Sequence, residues 1–126
     1  MKQLFSITRL IKSFGYSFKG LIHVITHETN VQIHLAALVV TTFAGAYFHI
    51  SRFEWMVQTL VIASVIGAEF FNTAIERTID LLHPEKAPRA GLIKDIAAAG
   101  VLVLAIGAVF IAYFIYGERI ELMLNK

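Results

Sequence analysis

From Ile96 to Tyr116 the chain runs without a formal charge, and from Val31 to Ile50 it does so again. A third stretch begins at Trp55 and stays apolar through Val65, Ile66 and Phe70, interrupted by one carboxylate, Glu69. A bilayer crossing takes roughly 20 residues of helix, so each stretch is long enough to span. Inside lipid the backbone has no water to bond, and a helix lets a segment satisfy its own N–H and C=O groups. The spans therefore require an all-α integral-membrane fold. Composition agrees, since 57% of the 126 residues are hydrophobic and only 16% are charged, against about 25% charged in a soluble domain. A net charge of +2 is too weak for a nucleic-acid footprint. The absence of Cys removes disulfides, zinc knuckles and thiol catalysis.

Two short connections separate the spans. His49–Glu54 joins the first to the second, and His83–Gly91, which holds both prolines, Pro84 and Pro88, joins the second to the third. The first thirty residues differ in kind. Leu4, Ile7, Ile11, Phe14, Phe18, Leu21 and Ile25 recur at spacings of three and four, an apolar helical stripe. Lys2, Arg9, Lys12, Tyr16, Lys19 and His23 fall largely opposite, the pattern of a basic helix lying in the membrane interface. Gly15 and Gly20 are places where that helix could bend. The expected layout is a single membrane domain over 1–126, with an interfacial helix at 1–29 and membrane helices at 31–50, 55–82 and 92–116.

Charge sets the orientation. Lys2, Arg9, Lys12, Lys19, Arg77, Lys86, Arg89 and Lys94 flank one side of the spans; Arg52, Arg119 and Lys126 flank the other. The N-terminus and the second connection are therefore expected in the cytoplasm. Glu28, Glu69, Glu76, Asp80, Glu85 and Asp95 gather on the same side. Anions crowded against bases at a membrane rim suit a divalent cation bridging to a phosphate.

The segment Glu69–Asp80 carries most of the chemistry. At ~100° per residue, Glu69, Asn72, Glu76 and Asp80 fall within about 80° of one another, one polar ridge running from lipid to water. Glu69 sits about 14 residues into its span, ~21 Å from the outer end, near the inner headgroup boundary. Intramembrane carboxylates are costly and suggest function; the bland alternative is a carboxylate paired across helices for packing or register. Lys94–Asp95 opens the third span, where Lys suits a phosphate and Asp a metal or water; helix-start electrostatics at Asp95 is the equal alternative. His23, His27 and Glu28 have a spacing that fits zinc, but no further histidine is placed to complete a site. Ala97, Ala98, Ala99, Gly100, Ala105 and Gly107 on the third span, with Ala63 and Gly67 on the second, allow close helix approach. Neither GxxxxGK[ST] nor GxGxxG is present, so a nucleotide would be held by side chains and a metal.

The run Glu69-Phe-Phe-Asn72-Thr-Ala-Ile-Glu76-Arg-Thr-Ile-Asp80, followed by Lys94-Asp95-Ile-Ala-Ala-Ala-Gly, resembles the signature of the prokaryotic integral-membrane diacylglycerol kinase and undecaprenol kinase family. Arg9, Lys12, Gly15-Tyr16-Ser17-Phe18-Lys19-Gly20 and His27-Glu28-Thr-Asn30 resemble its surface helix, so the likeness covers nearly the whole chain in order. It implies a homotrimer with three transmembrane helices and one amphipathic surface helix per subunit. The implied reaction transfers the γ-phosphate of Mg·ATP to a lipid hydroxyl at the cytoplasmic face of the inner membrane. By that resemblance Glu69 is the general base, Glu28 and Glu76 hold Mg2+, and Asn72 organises the lipid end. Arg9, Tyr16, Ser17, Glu28, Glu76, Asp80, Lys94 and Asp95 meet the nucleotide, and Arg9 and Lys12 approach the lipid.

Two features depart from the family pattern. Lys86-Ala87-Pro88 stands where a His is frequent, and Phe18 stands where the diacylglycerol branch commonly has Trp. Glu28-Thr-Asn-Val-Gln-Ile-His34, Glu54-Trp55-Met56 and the residues after Asp95 look more like the undecaprenol branch, whereas Gly15–Gly20 looks more like the diacylglycerol branch. The balance leans slightly to undecaprenol. The competing class is a small proton or ion conduit, or a scaffold, using the Glu69 ridge; a conduit would need polar groups continuing to the outer side.

Overall fold

The structure, a computed structural model, describes residues 6–85 and 87–125. Lys2, Leu4, Lys86 and Lys126, used in the pattern and charge readings above, lie outside the described residues. The order is α1 (Ile7–His27), α2 (Thr29–Tyr47), α3 (Arg52–Leu82) and α4 (Pro88–Leu124), with no strand among the described residues. The last three are long and apolar enough to cross a membrane. At 1.5 Å per residue, α3 is ~46 Å long and α4 ~55 Å, both longer than the ~30 Å hydrocarbon core.

α1 is the amphipathic segment. It runs unbroken through Gly15 and Gly20, and none of its residues is buried. Ile7, Ile11, Phe14 and Phe18 stay more than half exposed, as suits a helix whose apolar stripe rests on lipid. Its last turn is tied down. Gln32 Nε2 donates to the Ile25 carbonyl at 3.1 Å, and Glu28 N, in extended backbone between α1 and α2, donates to Val24 O at 2.9 Å.

The helix ends differ from the expected spans for local reasons. α2 stops at Tyr47 rather than 50 because His49 turns left-handed (φ 49°). His49 N then bonds Ala46 O, and Ile50 N bonds Gly45 O at 3.1 Å, the paired closure of a Schellman turn. α3 starts at Arg52 rather than 55, because Ser51 and Glu54 form a capping box with bonds of 2.7 and 3.3 Å. α4 starts at Pro88 rather than 92, since Pro at the first helical positions has no N–H to leave unpaired. It then runs past 116 to Leu124 through Gly117 and Arg119. Lys94 and Asp95 therefore lie beyond the first turn of α4, which holds no acidic residue. The helix-start reading of Asp95 is corrected accordingly.

The three spans are pinned together at the α2–α3 turn. Ile50, Ile115 and Tyr116 form a buried cluster with Ala44, Phe48, Trp55, Ile111 and Ala112 against it. Arg119 makes two bonds to the Glu54 carboxylate, at 2.9 and 3.0 Å, and also donates to the Ile115 carbonyl; paired Arg–carboxylate contacts are among the stronger polar ones. One turn deeper, buried Gln58 and Tyr116 close on each other. The Tyr116 hydroxyl donates to Gln58 Oε1 at 2.5 Å and lies 3.0 Å from the Thr41 carbonyl, while Gln58 Nε2 reaches the same carbonyl at 3.3 Å. Polar groups in an apolar interior are costly unless bonded, so this triangle fixes the relative height of α2, α3 and α4.

Gly45 is needed where it stands. A Cβ there would lie 2.8 Å from the Trp55 ring and 3.0 Å from Ile50 Cδ1. Gly45→Ala is expected to destabilise the bundle by ~1–3 kcal/mol through overpacking, read as a lower thermal midpoint in detergent. An unchanged midpoint would mean that the Trp55 contact is not close.

Candidate functional site

The polar ridge on α3 survives folding as a gradient of burial. Glu69 is 3% and Asn72 4% exposed. Glu76 is half-buried, and the Asp80 side chain is 63% exposed. Four residues along one helix thus lead from a dry interior to solvent, because the 3.6-residue repeat keeps them on one face.

At the inner end of the ridge lies a cavity of about 320 Å³ between α2, α3 and α4. Glu69, Asn72 and Glu76 of α3, Asn30 and His34 of α2 and Ala98 of α4 line it. Asn72 Nδ2 donates to Glu76 Oε1 at 2.9 Å. Its amide oxygen, Asn72 Oδ1, is buried without a hydrogen-bond partner. Such an orphan is uncommon in a folded protein and calls for an explanation. The orphaned Asn72 oxygen and the Glu76 carboxylate beside it are both oxygen donors, the kind a hard divalent cation takes.

The outer end of the ridge meets α4. Lys94 Nζ donates to Asp80 Oδ1 at 2.6 Å and lies within electrostatic reach of Glu76. Asp80 and Lys94 line a second cavity of about 430 Å³ together with His83, Glu85 and the start of α4. Asp95, next to Lys94, is exposed.

Glu28 takes a different place. It lies between α1 and α2, where Arg77 donates to its Oε1 at 2.6 Å and also meets His23 Nε2 at 2.6 Å. Arg77 follows Glu76 by ~100° around α3, so the two carboxylates, Glu28 and Glu76, look to different sides of that helix. Among the described residues no three His, Asp or Glu side chains gather as a metal cluster. The His23–His27–Glu28 zinc spacing is used instead for packing. The two rings stack at 4.4 Å, and His27 Nδ1 meets the His23 carbonyl.

Arg9, Lys12, Tyr16 and Ser17 stand exposed along α1. Lys19 Nζ lies 6.0 Å from the centre of the Tyr16 ring, and Ser17 Oγ bonds the Ser13 carbonyl at 3.1 Å. Within one subunit they line neither cavity. Asn30 and His34 line the first cavity and His83 the second, and none of the three carries a role in the sequence pattern. Asn30 and His34 were findable, as an i, i+4 polar pair at the start of a charge-free span.

Residues 15–116 match the family described as prokaryotic diacylglycerol kinase. The chain belongs to that family. It is 34% identical to the undecaprenol kinase of Bacillus subtilis (strain 168) over 110 residues, 87% of this chain and 89% of that one. It is 28% identical to the diacylglycerol kinase of Escherichia coli (strain K12) over 102 residues, 81% of this chain and 84% of that one. This family member is an integral-membrane lipid kinase. Against the conduit alternative, apolar Val61, Ile62, Val65 and Ala108 line the space between the Glu69 cavity and Gln58, and Gln58, Tyr116 and the Thr41 carbonyl bond one another beyond it.

Arg77 is the link between the α1–α2 junction and α3. Arg77→Ala is expected to raise hydrogen exchange at the amides of 24–28 by at least about tenfold, with those of 58–65 unchanged. Equal protection in both segments would show that α1 is held by something else.

Proposed function

We propose that the kinase transfers the γ-phosphoryl group of ATP to the hydroxyl of a membrane lipid, undecaprenol or diacylglycerol, with Glu69 as general base. The observation that carries this is the burial gradient, with a carboxylate at the dry end of a cavity whose ridge ends in solvent. A lipid hydroxyl arriving from the membrane and a nucleotide arriving from water have that ridge in common. The lipid oxygen forms a bond to the γ-phosphorus as the bond from that phosphorus to the β–γ bridging oxygen breaks. The electron pair leaves with ADP, and the hydroxyl proton passes to Glu69. Such positioned proton transfer contributes about 10²–10⁴-fold, and phosphoryl transfer otherwise depends on positioning and charge stabilisation.

Glu76 is the proposed Mg2+ carboxylate, with the orphaned Asn72 oxygen as a further hard donor on the cavity side; Glu28, paired with Arg77 on another side of α3, joins it only on leaving that ion pair. Mg2+ held by these residues would neutralise phosphate charge. Asn72 also steadies Glu76. Lys94, held by Asp80, is the counter-charge for phosphate oxygens, with Asp95 beside it. Arg9, Lys12, Tyr16 and Ser17 approach the nucleotide and lipid headgroup from α1. Their distance from both cavities within one subunit is consistent with a homotrimer in which a surface helix serves more than its own chain. The whole chain forms one lipid-kinase domain, placed in the inner membrane with α1 and the α3–α4 connection in the cytoplasm, the side that carries most of the Lys and Arg.

Glu69→Ala is expected to lower lipid phosphorylation in nanodiscs by at least about 10²-fold while the oligomer stays intact; turnover near wild type would remove the base assignment. Glu76→Gln is expected to shift the Mg2+ dependence to higher concentration, with activity partly restored by excess Mg2+. An unchanged metal dependence would remove Glu76 from the metal site.

A further inference from the structure

Glu28 stands at a joint as well as in an ion pair. α1 ends at His27 and α2 begins at Thr29, so Glu28 is the one residue between them. Its backbone is extended, at φ −107° and ψ 112°. Its N–H bonds the Val24 carbonyl behind it, and its own carbonyl receives Gln32 N ahead of it. Whatever turns Glu28 therefore turns α1 on α2. Arg77 holds this joint to the bundle. Nη2 donates to Glu28 Oε1 and Nη1 meets His23 Nε2, both at 2.6 Å; an arginine has only donors, so the ring nitrogen accepts. Among the described residues, the hydrogen bonds that tie α1 and Glu28 to α3 all come from this guanidinium. α1 buries no residue of its own.

The pair is open to exchange. The Arg77 and Glu28 side chains are 48% and 28% exposed, and an ion pair in contact with water contributes little. A divalent cation has twice the charge of a guanidinium and a preference for carboxylate oxygen. The exchange also moves the chain. Arg77 and Glu76 point ~100° apart, which on a helix about 10–12 Å across separates their tips by roughly 8–9 Å. Two carboxylates on one ion stand side by side, so Glu28 travels several ångströms to join Glu76, and its hinge backbone turns with it.

We propose that Arg77 is a latch on Glu28, holding α1 against α3 until a magnesium-bound nucleotide takes Glu28 from it and so releases α1. The inference rests on the metal reading of Glu76 and Glu28, and adds that the nucleotide displaces a resident counter-ion in order to bind. Arg77 acts through Glu28 and is a positioning residue. Release serves the reaction. Arg9 and Lys12 of α1 line neither cavity within one subunit, and a freed α1 can carry them to the phosphates. Because only the unlatched form offers Glu28, the latch lowers the apparent affinity for the nucleotide.

The test uses the full-length protein in nanodiscs, with Mn2+ in place of Mg2+ and a nonhydrolysable ATP analogue as the probe. Removing a positive charge beside a nucleotide ordinarily weakens its binding. Here Arg77→Ala is expected to tighten it, lowering the Kd read from the Mn2+ spin-resonance signal at least about fivefold, while Arg77→Lys stays near wild type. In a Glu28→Gln background the same Arg77→Ala change leaves the Kd unaltered. An unchanged or weaker Kd in Arg77→Ala, or an equal gain without the Glu28 carboxylate, overturns the latch and leaves the metal role of Glu76 in place. A wild-type protein that binds no Mn2+ with the analogue overturns the metal reading and the latch together. Hydrogen exchange on the unsubstituted protein covers the case in which the variants do not assemble. Adding Mg2+ and the analogue is expected to speed exchange at the amides of 24–28, opposite to ordinary ligand protection. Slower or unchanged exchange there overturns the latch.

Discussion

A polar group inside a membrane bundle must find a partner within the bundle, and here one backbone carbonyl settles how three helices stand. The Thr41 carbonyl on α2 receives Tyr116 of α4 and Gln58 of α3, which also bond each other. Sliding any span by one residue would break bonds that lipid cannot replace. The triangle thereby sets which residues meet at the far end, with His34 and Glu69 on one cavity and Glu76 within electrostatic reach of Lys94. The Glu54–Arg119 pair, the capping box and the Gly45–Trp55 contact all reinforce the same end. The fold is held at this end, and the proposed chemistry lies at the other.

That division explains the one buried side-chain oxygen left without a partner among the described residues. Near the α2–α3 turn the buried polar side chains pair with each other. At the ridge, Asn72 spends its donor on Glu76 and leaves its oxygen bare. A bare buried oxygen costs stability, and the proposed metal and phosphate offset that cost when they bind. The loosest element is also at this end, since α1 is joined through its last turn and through Arg77. A surface helix attached by one end is free to approach a ligand without disturbing the spans.

How much the chain disclosed depended on the range of each interaction. The ridge was legible because four residues on one helix obey an angular repeat that needs no knowledge of neighbours. The spans were legible from charge-free length alone. Helix ends were misplaced by three or more residues at Tyr47, Arg52, Pro88 and Leu124 because capping chemistry, not hydropathy, decides them. Glu28 shows the harder limit. Its carboxylate meets Arg77, a residue 49 positions away, and nothing local distinguishes that partner from other bases. The cavity at Glu69 was invisible for a similar reason. An empty space belongs to no residue, and it exists only once three helices have been set at fixed heights.

The lengths of α3 and α4 carry a consequence of another kind. Both outrun the hydrocarbon layer, at ~46 and ~55 Å against ~30 Å, so the bilayer does not define where they end. It chooses where along them it sits. Glu69 stands ~25 Å from the start of α3, within reach of a headgroup boundary whose position follows membrane thickness. A thicker membrane lowers that carboxylate among the acyl chains, and a thinner one lifts it towards water, by tilt and sliding of rigid rods. The membrane is then a gauge as well as a solvent, and the depth of the reacting oxygen is a property shared between the protein and the lipid around it.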